Sequence, residues 1–185
     1  MNRLRRALLV PVFLTATVAG TASGQKTYAL ALGGGPTIPV AKLGDIEKSG
    51  YNGLVSLAIG VAELPLGVRF DAMYNTMPKR EGAVAPGNKP SADFRVMSAL
   101  ANLIFAFPGT NAKAYILAGA GLYNSKADTS GAKALNNLGF NAGVGTTFGT
   151  GPFSIFVESR YHSVSRSASK GGVYQFVPVT LGILF

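Results

Sequence analysis

From Gln25 onward the apolar residues of this chain recur at every second position. That is the period of a β-strand, and no stretch shows the three-to-four-residue spacing of an amphipathic helix. Eight alternating segments stand out, at about 27–34, 51–61, 66–75, 94–107, 113–124, 138–149, 153–163 and 174–185. The connections between them alternate in length. Residues 35–50, 76–93, 125–137 and 164–173 are long and rich in Gly, Pro, Ser, Asn and Lys, whereas 62–65, 108–112 and 150–152 are turn-sized. Long loops at one end and tight turns at the other predict a meander that closes on itself. The expected fold is all-β, an eight-stranded antiparallel up-and-down transmembrane β-barrel.

Which face is apolar separates a soluble barrel from one in a membrane, because the first hides its oil inside and the second wears it outside. In the third segment Leu66, Val68, Phe70, Ala72 and Tyr74 oppose Gly67, Arg69, Asp71, Met73 and Asn75. In the sixth, Leu138, Phe140, Ala142, Val144, Thr146 and Phe148 oppose Gly139, Asn141, Gly143, Gly145 and Thr147. In the seventh, Phe153, Ile155, Val157 and Tyr161 oppose Ser154, Phe156, Glu158, Arg160 and His162. The second faces are too polar or too small to make a dry core, so they are expected to line a narrow lumen. Aromatic residues also recur eight positions apart, as Tyr115 and Tyr123, Phe140 and Phe148, and Phe153 and Tyr161. Eight residues of tilted strand cover about 20 Å of the membrane normal, close to the ~25 Å apolar band between two aromatic girdles. These six residues are therefore expected to point outward. In the fourth segment Asn102 should face the lumen, which leaves Arg95 on the outer side near the rim unless a bulge turns it inward.

Composition fits a surface that does not face water. Only 14% of the 185 residues are charged, 24 are Gly, and Cys and Trp are absent. A soluble domain carries about a quarter charged residues. No run reaches the ~18 consecutive apolar residues of a membrane-spanning helix. Without cysteine there are no disulfides, thiolate metal sites or cysteine nucleophiles. Residues 1–24 read as a secretory signal peptide: Arg3, Arg5 and Arg6 precede an apolar stretch from Ala7 to Val18, and Ala22-Ser23-Gly24 offers small residues for cleavage before Gln25. Cleavage would remove three of the 17 basic residues and none of the eight acidic ones, so the formal excess of nine positive charges falls to six. An exported protein does not meet nucleic acid, which excludes that partner for the basic surplus.

The last segment is the most specific. Val177, Val179, Leu181, Ile183 and Phe185 alternate without a break, and Phe185 ends the chain. This resembles the terminal signature that the barrel-assembly machinery reads in outer-membrane proteins. Together with Tyr115-Ile-Leu-Ala-Gly-Ala-Gly-Leu-Tyr123 and Phe156-Val-Glu-Ser-Arg-Tyr-His162, it makes residues 25–185 similar to the small eight-stranded OmpA/OmpX-like barrels. The resemblance implies residence in the cell outer membrane of a Gram-negative envelope, a monomer, contact with outer-membrane lipid and lipopolysaccharide, and insertion by the assembly machinery. The peptidoglycan-binding domain of larger relatives is not expected.

Arg69 and Asp71 on the third strand, and Glu158 and Arg160 on the seventh, would meet across such a lumen. Buried charges persist only when paired and hydrogen-bonded, so these four are expected to form a network that plugs the pore. His162 is the only histidine, with Ser163 and Ser165 nearby and Glu158 on its strand face. Lipid A deacylases build a Ser/His/Glu site on this kind of barrel. Here, however, neighbouring strand residues point to opposite faces, and the deacylase-like His-x-Ser is missing because position 164 is Val. No enzyme activity, metal or cofactor is expected, and His162 is placed at the lumen rim. Gly33-Gly34-Gly35 and Gly143-Val-Gly145 lack the Lys-Ser/Thr of a phosphate loop, and Pro36 and Pro39 are expected to break the first. The long loops carry Lys42, Lys48, Lys79, Arg80, Lys89, Lys126, Lys133, Arg166 and Lys170, read as a solvated surface, with attraction to lipopolysaccharide phosphates or a host polyanion as the alternative. The expected function is non-catalytic, structural support or surface interaction through the loops. The alternatives are a conduit or binder for a small hydrophobic molecule, and a lipid A-modifying enzyme.

Overall fold

The computed structural model describes residues 26–61, 64–85, 89–90, 92–128, 133–149, 153–166 and 172–185. The expected signal peptide and Lys170 lie outside them. Ten strands form: β1 (Lys26–Val40), β2 (Gly50–Val61), β3 (Leu66–Met77), β4 (Val84–Ala85), β5 (Lys89–Pro90), β6 (Phe94–Ala106), β7 (Ala112–Ala127), β8 (Leu135–Phe148), β9 (Ser154–Val164) and β10 (Tyr174–Leu184). The two-residue strands β4 and β5 pair only with each other, as a small ribbon in the loop between β3 and β6. The other eight close into an antiparallel barrel in the order β1-β10-β9-β8-β7-β6-β3-β2. Each strand lies beside its chain neighbours, and the seam is β1 against β10, finished by paired backbone hydrogen bonds between Leu30 and Phe185 of 2.8 and 3.1 Å. Closure leaves the eight-stranded sheet without an exposed edge, which is the condition for a sheet to cross lipid.

The wall is inverted relative to a soluble barrel. Leu103, Leu138, Val144 and Leu181 are about 60–70% exposed on the outer face, whereas Glu158 and Arg160 inside are 1% exposed. Along β3 the outward residues are Leu66, Val68, Phe70, Ala72 and Tyr74, and Arg69, Asp71, Met73 and Asn75 alternate with them inward. An apolar outer face of this extent is stable only in hydrocarbon.

The expected end of the first strand needs correction. The first strand does not stop at Gly34 but runs through Pro36 and Pro39 to Val40. Proline cannot donate to a ladder, and pairing with β10 is interrupted at Gly35 and Pro36 before resuming in the same register at Thr37↔Pro178. The amide of Asn52 fills the gap from inside, donating to the carbonyls of Gly35 and Pro36 (2.9 Å each) and of Val179 (3.1 Å). Gly35 has to be glycine because a Cβ there would sit 2.2 Å from the Val179 carbonyl oxygen. In the fourth barrel strand no bulge is needed. Registry between β3 and β6 is continuous from Leu66↔Phe105 to Met77↔Phe94, and Arg95 stays on the outward side, where it pairs with Asp128 at 2.6 Å.

Candidate functional site in the lumen

Strands β3 and β9 stand four places apart in the ring of eight, directly across the barrel. An i, i+2 spacing puts Arg69 with Asp71, and Glu158 with Arg160, on the inward face of each strand. The four side chains meet. Arg69 Nη2 lies 2.8 Å from Glu158 Oε2, and Arg160 Nη1 donates to Asp71 Oδ2 at 2.7 Å. Within each strand, Arg69 Nε contacts Asp71 Oδ1 at 3.1 Å and Arg160 Nε donates to Glu158. Two positive and two negative charges thus cancel inside the lumen.

Neutral side chains complete the layer. Ser56 donates to Asp71, Asn102 Nδ2 donates to Asp71 Oδ2 at 2.7 Å, and the Tyr115 hydroxyl donates to Glu158 Oε2 at 2.9 Å. The Arg69 guanidinium also stands 6.0 Å from the centre of the Tyr115 ring. Ion pairs removed from water offset their desolvation only with this kind of added hydrogen bonding. Asn102 was legible as an inward polar residue on an apolar strand. Ser56 and Tyr115 carried no signal that assigned them here.

Tyr115 and Tyr123 do not belong to the outer girdles. Both face inward, at 8% and 0% exposed, because the outward positions of β7 are Ile116, Ala118, Ala120 and Leu122. Glycines on the neighbouring strand β8 make the room. A Cβ at Gly145 would come within 2.3 Å of the Tyr115 ring, and one at Gly139 within 2.8 Å of the Tyr123 ring. Phe140, Phe148, Phe153 and Tyr161 do point outward. So do Val177, Val179, Leu181, Ile183 and Phe185, on the strand that closes the seam.

Tyr123 shares a 2.9 Å hydrogen bond with His162 Nδ1, and the imidazole stacks on Phe176 with centroids 4.8 Å apart. His162 is fully buried in the lumen wall and not at its rim. Neither a serine nor a carboxylate occupies Nδ1, and Glu158 is already held by Arg69, Arg160 and Tyr115. The geometry is that of a packing histidine.

Toward the loop end the lining turns apolar, with Met77, Phe94, Val96, Val164, Tyr174 and Phe176 all buried. A single 3₁₀ turn (Ala41–Leu43) places Leu43 against this cluster. Arg166, expected as a solvated loop charge, instead lays its guanidinium over the rings of Tyr174 (4.2 Å) and Phe94 (4.9 Å). Arginine is suited to this because it is weakly hydrated and stacks on aromatic faces.

No protein-family model and no curated protein matches the chain. Among solved structures, Neisserial surface protein A superposes with a TM-score of 0.60 at 17% identity, over 86% of this chain and 97% of that one. A major outer membrane protein from Thermus thermophilus superposes with a TM-score of 0.53 at 13% identity, over 86% and 98%. At such identities the likeness is one of fold. The chain has the fold of these small outer-membrane barrels: eight antiparallel strands closed into a ring with an apolar outer wall.

Proposed function

We propose that this protein is a non-catalytic resident of the outer membrane that acts through its outer loops, with the barrel as a rigid, non-conducting mount. The observation that carries the reading is the neutral layer of Arg69, Asp71, Glu158 and Arg160 across the lumen, backed by an apolar plug on the loop side. A site for chemistry needs a cleft and an activated group, and the titratable groups in the lumen are committed to one another. The likeness to a protein named for the bacterial surface supports a surface role. The basic loop residues Lys42, Lys48 and Lys79, with Lys126 at the loop end of β7, are all exposed and suit the phosphates of lipopolysaccharide as partner. The outward alternation ending at Phe185 suits reading by the assembly machinery.

Planar-bilayer recording tests the reading. The purified chain is expected to show no stable unitary conductance, and steady open channels in the unmodified protein would overturn it. Mass spectrometry of lipid A from cells with and without the protein is expected to give identical profiles; a changed acylation pattern would return the enzyme alternative.

A further inference from the structure

The loop end of the lumen is closed by a strap, residues 41–48, that is fastened to the loop following β3. Lys48 N donates to Pro78 O (2.7 Å) and Arg80 N donates to Ile46 O (2.9 Å), around a bridge that pairs Glu47 with Lys79. The Arg80 guanidinium adds hydrogen bonds to the carbonyls of Gly44 (3.0 Å) and Glu47 (3.4 Å). The strap begins at Ala41, whose φ of +50° lies in the left-handed region. It holds Leu43 in the apolar mouth as a stopper. At the centre of this fastening Glu47 is 3% exposed, and its Oε2 has no hydrogen-bond partner among the described residues.

We propose that the strap is a proton-held latch: it stays closed while the buried Glu47 carboxyl is neutral, and it loosens, uncovering the apolar mouth beneath Leu43, when that group ionises beside Asp93. Among the described residues the surrounding charges give Glu47 no compensating cation. Asp93 faces it and is itself committed to accepting the Lys79 amide at 3.1 Å. Arg80 spends its guanidinium on backbone carbonyls, and the Lys79 side chain is exposed. Lys48 reaches out to Glu81 at 3.7 Å, and Lys42 and Asp45 on the strap are exposed. From the next elements, Arg95 is paired with Asp128 and Arg166 lies on the rings of Phe94 and Tyr174. An ionised carboxylate left buried and unpaired is costly. Burial, and then the neighbouring Asp93, push the Glu47 carboxyl up to about 8 from an ordinary 4.5. Its contribution to closure is therefore complete below about 4.5, declines as pH rises, and is gone once pH has passed about 8.

Hydrogen exchange of the full chain in detergent micelles reads this directly at the amides of Lys48 and Arg80, with strand amides such as Leu100 as internal reference. After correction for intrinsic exchange, protection of the strap amides is expected to fall at least about ten-fold between roughly pH 6 and 9.5, the reference staying constant. Glu47→Gln, which keeps the group neutral, is expected to hold protection flat. Asp93→Asn, which removes the repulsion while keeping an acceptor for Lys79, is expected to shrink the loss and move its end to lower pH. Constant strap protection in the unmodified chain, or an undiminished loss in either variant, would overturn the latch. Should one variant fail to fold, the other decides.

Discussion

Each charged residue in the lumen layer has an assigned partner, so single substitutions there differ sharply in cost. Glu158→Ala leaves Arg69 and Arg160 facing each other across the space the carboxylate filled, and removes the acceptor of Tyr115. Breaking one partner of a buried pair costs ~3–5 kcal/mol. Urea unfolding in lipid vesicles is expected to show that loss, and an unchanged midpoint would contradict the layer. A second residue-scale expectation concerns space. Gly145→Val forces a branched side chain into the Tyr115 ring, 2.3 Å from where its first carbon must sit. Overpacking of this kind costs ~1–3 kcal/mol, and the same unfolding assay should register it. Gly53→Ala, where an added Cβ meets nothing within 4 Å, is the matched control and is expected to leave stability near that of the unmodified chain.

A strand's role is set by its parity and by depth. On β8, Val144 is outward and midway between the outward rings of Phe140 and Phe148, whereas Leu138 is outward beyond Phe140 on the loop side. A lipid-facing arginine costs ~2–4 kcal/mol at the membrane midplane and falls toward ~0–1 at the interface. Val144→Arg is therefore expected to destabilise by the larger amount and Leu138→Arg by the smaller, measured as paired unfolding midpoints in vesicles. Parity was legible for β3, β8 and β9, where polar and apolar residues alternate cleanly. It was harder to read for β7, because Leu117, Gly119 and Gly121 on one face and Ile116, Ala118 and Ala120 on the other include no charged or amide side chain that marks an inside. Spacing alone put Tyr115 and Tyr123 outside. What turns them inward is the glycine-lined space on β8 together with buried hydrogen-bond partners for their hydroxyls, and both belong to other strands. The extension of β1 was hidden for a related reason. Proline at 36 and 39 reads as a strand end, and the Asn52 side chain that spans the interrupted ladder lies on the neighbouring strand.

At the scale of the molecule, the barrel solves two problems with one inversion. Its outer wall satisfies the membrane, and its lumen concentrates the polar groups that the wall cannot show. Transferred to buffer without detergent, the refolded chain is expected to associate, as sedimentation would reveal, because the apolar wall then faces water. A monomeric folded species under those conditions would contradict the facing of every strand.

Alternation and the rhythm of long and short connections were enough to determine eight strands, their antiparallel order and the inverted wall, because period and loop length act locally along the chain. The same patterns placed Arg69, Asp71, Glu158 and Arg160 on inward faces. Only the closed barrel decided that these four touch, that Ser56, Asn102 and Tyr115 complete them, and that Glu47 is buried where the strap is fastened. Those contacts join residues dozens of positions apart, and their distances depend on how far round the ring and how deep along the axis each strand sits. Those are quantities that no single segment encodes.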